Sequence, residues 1–259
     1  MPGRKTLAVI FMQTKRQLLH ILIFVGILKL AGQTAIQVND STYLFWRDGI
    51  TIKYEDYKGP SFPNTIPVIA EIAIWTALDI PDSAESHYLP VRFYIAPVFD
   101  RGNSHADTND QALIDVNNIY FNISELCART ARKKMSSVLD SLKLSTDVST
   151  SFKTMVKEMH EQRLRLNRKF YREYFRNKNP NAINIWNSQT NYELKMLSKW
   201  ATTSIDIQRF INAAPLESSY KEDLSCNPKL LQAKYEQTLP PDTWHAGYNQ
   251  ISRFGVKRN

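Results

Sequence analysis

Few residues in this chain have the types and spacing of a chemical site. "EMHEQRLRLN" opens with His160-Glu161, the first half of an H-E-x-x-H motif. In that motif two histidines one helical turn apart turn both imidazoles to one face to hold zinc. The glutamate beside the first activates the metal-bound water. Leu164 stands where the second histidine belongs, so His160 is expected to be a solvated surface histidine. "HADTNDQALID" gathers His105, Asp107, Asp110 and Asp115, oxygen-rich enough for calcium. A calcium loop of the EF-hand type needs glycine at its sixth position and glutamate at its twelfth, and from Asp107 those are Ala112 and Asn118. The segment instead reads as a surface loop with a helix cap. The five histidines (20, 87, 105, 160, 245) are scattered, and no serine or cysteine sits in a nucleophile context. None of the eight glycines forms G-x-G-x-x-G, a phosphate-binding loop or G-x-S-x-G, which argues against dinucleotide, nucleotide and common serine-hydrolase chemistry.

The elements that would position a site follow from periodicity. Residues 42–100 favour strands: "YLFWRDGITIKYEDYKG" with a turn at Asp48-Gly49, then "TIPVIAEIAIWTALDI" and "YLPVRFYIAPVF", closed by a loop "DRGNSHADTND". Helices follow, over about 111–142, from after "STDVST" to 177, and over about 188–201. In the first, Leu113, Val116, Tyr120, Ile123 and Cys127 form one apolar stripe, while Asp115, Asn118, Asn122, Glu125 and Arg129 fall off it. The expected fold is α+β, a small N-terminal antiparallel sheet followed by packed helices. One domain is expected over 33–213, with an irregular extension over 214–259.

The first helix and two upstream elements carry a resemblance. "LIDVNNIYFNISELCARTARK" resembles the helix of a bacterial family of secreted zinc-dependent metallopeptidases, catalogued as domain of unknown function 922, whose pattern is approximately L-x-x-H-E-Q-x-H-F-D-I-x-E-L-x-A-R-x-x-R. Leu113, Phe121, Ile123, Glu125, Leu126, Ala128, Arg129 and Arg132 match, and Asn122 replaces the aspartate. "ITIKYEDYKG" resembles the family's L-T-W-x-D-F-K-G through Ile52, Tyr54, Asp56, Tyr57, Lys58 and Gly59. "FDRGNSH" resembles F-x-x-x-x-S-W through Phe99 and Ser104, with His105 in place of tryptophan. The resemblance implies a zincin-like fold but departs at the chemistry. The two histidines and the glutamate are replaced by Val116, Tyr120 and Asn117. Valine has no ligand atom, asparagine cannot take a proton, and a phenol titrating near pH 10 is a poor zinc ligand. A non-catalytic relative is therefore expected, without zinc or another cofactor. Asp56, Lys58, Glu125 and Arg129 are expected to be structural members of one polar network. The alternative is a secreted hydrolase with a non-standard metal site, such as His105, Asp107 and Glu125.

The N-terminus reads as an export signal over 1–32. Lys15 and Arg16 precede an apolar run from Leu18 to Leu28, too short to span a bilayer, so no transmembrane span is expected after cleavage. The implied location is periplasmic or extracellular, in the cell envelope. The chain carries a formal charge of +8, but residues 1–32 hold five basic and no acidic residues. The remainder has 28 basic against 25 acidic residues, which removes most support for nucleic-acid binding. An exported location also permits a disulfide between Cys127 and Cys226. The segment 153–178 holds nine basic and three acidic residues around a stripe of Phe152, Val156, Met159, Leu166, Phe170 and Tyr174. It is the expected docking face for an envelope protein or glycan.

Overall fold

The structure, a computed structural model, describes residues 41–60, 68–82, 89–141 and 145–226. All of them belong to one compact unit, Asp40–Asn259. The export signal expected over 1–32 lies outside the described residues. Among the described residues, no helix is long and apolar enough to cross a membrane.

The fold is α+β. Strands β1 (Tyr43–Phe45), β2 (Val68–Pro81) and β3 (Arg92–Ala106) precede four helices. These are α1 (Gln111–Ser141), α2 (Ser145–Tyr171), α3 (Ala182–Met196) and α4 (Ser204–Ile211), after which β4 (Tyr220–Glu222) returns to the sheet. The sheet is antiparallel in the order β1-β3-β2-β4. Successive strand side chains point to opposite faces, so β2 presents Ile72, Ile74 and Leu78 to one core and Trp75 to the other. The first core is closed by α1, α2 and α3. On the second face Trp75 meets Phe210 of α4 at 5.8 Å, and Asp79 receives a two-pronged bond from Arg209 at 2.7 and 2.8 Å.

Three sequence expectations are corrected. The stretch after β1 is not a second hairpin strand. Gly49 supplies the left-handed turn (φ +79°), with the Ile50 amide donating to the Arg47 carbonyl at 3.0 Å. Beyond the turn, the Ile52 amide and carbonyl bond to the side chain of Asn118 rather than to a strand. "DRGNSHA" is not a closing loop either; β3 continues through it to Ala106, because Arg101–Ser104 form a wide bulge between the pairs Ile69↔His105 and Glu71↔Asp100. Finally, the domain does not stop at 213. Glu222 of β4 pairs with Asp79, and Arg209 bonds both carboxylates. A three-residue strand is too short to leave a readable alternation.

Candidate functional site

Helix α1 starts at Asp110, whose carboxylate accepts from the amides of Ala112 at 2.9 Å and Leu113 at 3.4 Å. The cap expected for this segment therefore forms. Three positions that follow in the helix enter the interior: Val116 is 1% exposed, Asn117 4% and Tyr120 2%. Tyr120 packs edge-on against Phe170 of α2 at 5.2 Å. Asn117 donates to the Tyr57 hydroxyl at 2.9 Å. Burial pushes the Tyr57 phenol above its ordinary range. All three side chains are buried.

The upstream elements join them. Tyr57 packs edge-on against Phe99 at 5.2 Å. The Lys58 amide donates to the Arg101 carbonyl at 2.9 Å, and the Gly59 amide to the Ser104 carbonyl at 2.7 Å. A Cβ at Gly59 would lie 2.8 Å from the carbonyl oxygens of Gly102 and Ser104, so only glycine allows this approach. Asp56 pairs with Arg101 at 2.8 Å. The segments carrying the resemblance thus interlock around the β3 bulge and the first turns of α1.

A second, charged constellation occupies the later turns of α1. Glu125, 0% exposed, accepts from Arg129 Nε at 2.9 Å, Thr202 N at 2.9 Å and Thr202 Oγ1 at 2.6 Å. Arg132 adds longer contacts at 3.4 Å. Arg129 also donates to the Leu194 carbonyl and to Asp48 Oδ1, and its guanidinium lies 4.8 Å over the Trp46 ring. Arg132 reaches the carbonyls of Ile95 and Trp200. Both carboxylate oxygens of Glu125 accept from these donors. Among the described residues Asp56 pairs with Arg101 and Lys58 bonds through its backbone amide, so neither joins Glu125 and Arg129 in the single network expected from the sequence.

The remaining sequence candidates disperse. His105 is buried on β3, 3.8 Å from the exposed carboxylate of Asp107. Glu125 belongs to the arginine network instead. Among the described residues no three His, Cys, Asp or Glu side chains gather into a set that could hold a metal ion. His160 is half-buried rather than solvated; burial, aided by the neighbouring Arg163 charge, lowers its pKa to about 3. Cys127 and Cys226 are free, buried thiols, not a disulfide, and burial raises both to about 12. Cys226 points at Asp223 Oδ2, 3.5 Å away, in the short turn after β4. The apolar stripe of 153–178 packs into the core as expected. Its basic residues divide: Arg163 is buried and donates to the Ile72 carbonyl at 3.1 Å, whereas Arg165, Arg168, Arg172 and Arg176 stay exposed.

The open site lies on the polar flank of α1. A groove of about 870 Å³ runs between the 46–55 segment, α1 and α3, with Trp46, Asn118, Asn122 and Arg129 among its lining residues. The Trp46 indole donates to Asn122 Oδ1 at 2.9 Å. No family model, curated protein or solved structure matches this chain. Sequence reading did not single out this groove, because Asn187 and Asn191 of its far wall come from α3 and carry no motif.

Proposed function

We propose that this protein is an exported, catalytically inactive metallopeptidase-like protein of zincin-like ancestry, with a binding or scaffolding role in the cell envelope. One observation carries the reading. The positions matching the lost zinc motif, Val116, Asn117 and Tyr120, are core residues at 4% exposure or less, while a groove persists on another flank of the same helix. A metal site needs ligand atoms that converge on an accessible point. Here two of the three positions complete a hydrophobic stripe, and the third secures Tyr57. The exposed row Arg165, Arg168, Arg172 and Arg176, at spacings of three, four and four on α2 and the turn that ends it, offers a second surface suited to an acidic envelope partner.

The test is elemental mass spectrometry of the purified chain after mild dialysis, beside a general peptidase assay. The expected result is less than about a tenth of an equivalent of zinc, since closed protein zinc sites survive such handling. Near one equivalent of zinc, or metal-dependent peptide cleavage, overturns the proposal.

A further inference from the structure

The groove's lining specifies a ligand chemistry. Six of its lining residues carry side-chain carboxamides: Asn109, Gln111, Asn118, Asn122, Asn187 and Asn191. Asn118 is spent on Ile52 and Gln111 on Asp115. Asn122 uses only its oxygen, on Trp46. The side chains of Asn109, Asn187 and Asn191 bond to no described residue. Each free carboxamide offers a donor and an acceptor without net charge.

The charges around them cancel in number: Asp48, Glu55 and Asp115 against Lys53, Arg129 and Lys195. Arg129 and Asp48 pair with each other at 3.1 Å. The arginine row of α2 does not line the groove. An anionic ligand therefore finds no cationic trap here. A peptide adding itself as a strand along the 50–55 wall meets Ile52, whose amide and carbonyl both already bond to Asn118. Tyr54, 38% exposed on the same wall, offers a ring for an apolar face to stack on. Uncharged molecules dense in groups that both donate and accept, with an apolar C–H face, are sugars.

We infer that this groove binds a neutral oligosaccharide, through the amide nitrogen of Asn122, the carboxamides of Asn187 and Asn191 and the ring of Tyr54. Its volume of about 870 Å³ falls in the range of enclosing small-ligand sites. The inference deepens the binding role proposed above and names the ligand class of that groove.

The experiment is isothermal titration of the purified chain with the β-1,4-linked tetramers of N-acetylglucosamine and of glucose, with maltotetraose, and with tetragalacturonate as the anionic counterpart. At least one neutral tetrasaccharide is expected to bind with a Kd between about 10 μM and 1 mM. The double variant Asn187→Ala/Asn191→Ala removes side chains that hydrogen-bond to no described residue, and is expected to weaken binding at least about tenfold. Tyr54→Ala is expected to weaken it several-fold, and Arg168→Gln/Arg172→Gln to leave it unchanged. The inference is overturned if no neutral tetramer binds more tightly than 1 mM, if tetragalacturonate binds better, or if the asparagine variant binds like the parent. The zinc measurement separates the two proposals. A zinc-loaded chain that binds a neutral tetramer sinks the inactive-enzyme reading alone, and a zinc-free chain that binds none sinks the sugar site alone.

Discussion

The two halves of α1 lie little more than one turn apart and are equally buried, yet they are built from opposite materials. Around Val116 and Tyr120 the helix meets α2 through apolar and aromatic surface. Around Glu125, Arg129 and Arg132 it is buried through charge, each group closed by named partners on other elements. The difference teaches what the interior tolerates. A lone ligand side chain without its metal would be an uncompensated polar group, and such groups cost stability. A carboxylate held by two guanidiniums, a backbone amide and a hydroxyl is compensated, and removing one member harms more than the set contributes.

The strongest challenge to that contrast is Glu125→Ala, which leaves two arginines buried against carbonyls without their shared counter-charge. We expect a loss of about 3–5 kcal/mol in urea denaturation. A loss below about 1 kcal/mol would show that the network is incidental. Next comes the motif-restoring variant Val116→His/Asn117→Glu/Tyr120→His. It is expected to lose about 3 kcal/mol and to acquire no zinc by elemental analysis, because its new ligands face a filled core. A stable variant carrying one zinc would break the comparison outright.

His160 is a half-buried titratable group that, unlike Glu125, has a like charge beside it in Arg163. Its folded pKa of about 3 lies below the unfolded value of 6.5, so the unfolded chain takes up the proton first. Stability is therefore full above pH 6.5 and falls as pH drops toward 3, by up to about 1.4 kcal/mol per unit from this group. His160→Gln should flatten that part of the stability–pH curve, and an unchanged slope would place the titration elsewhere. Asn118→Ala should cost about 1 kcal/mol, since it frees both backbone groups of Ile52, and hydrogen exchange at Ile52 should rise with it. The smallest effect concerns Cys127, in the charged half. With both thiols at about 12, a thiol reagent at pH 8 should label neither in the native chain and two per chain in denaturant.

Much of the fold was legible locally. The period of 3.6 marked α1 and the buried face of α2, alternation marked β3, and Asp110 ahead of the first apolar turn marked a cap. The third helix was placed late: its first turn, Ala182 to Trp186, carries apolar residues at successive positions, with Ile185 50% exposed, so no single stripe marks its start. Helix α4 has a cap signal in Thr203 and Asp206, whose side-chain and backbone bonds are reciprocal. That signal is short and sits in a segment rich in turn formers. The candidate site was half legible. The lack of zinc-ligand chemistry at 116, 117 and 120 is a matter of residue type, but the groove is made of residues 46–55, 109–129 and 187–198, which no spacing connects.

The sequence by itself determined what chemistry Val116, Asn117 and Tyr120 cannot perform, because a side chain's ligand atoms and proton affinity are intrinsic to its type. It also determined which faces of the long helices are apolar, because helical geometry converts spacing into direction. Only the tertiary structure decided that Glu125, Arg129 and Arg132 are interior, that Cys127 and Cys226 stay thiols, and that β4 closes the sheet. Burial and partnership depend on which distant segments arrive around a residue, and local propensity carries no information about arrivals across 77 positions, as when Thr202 caps Glu125.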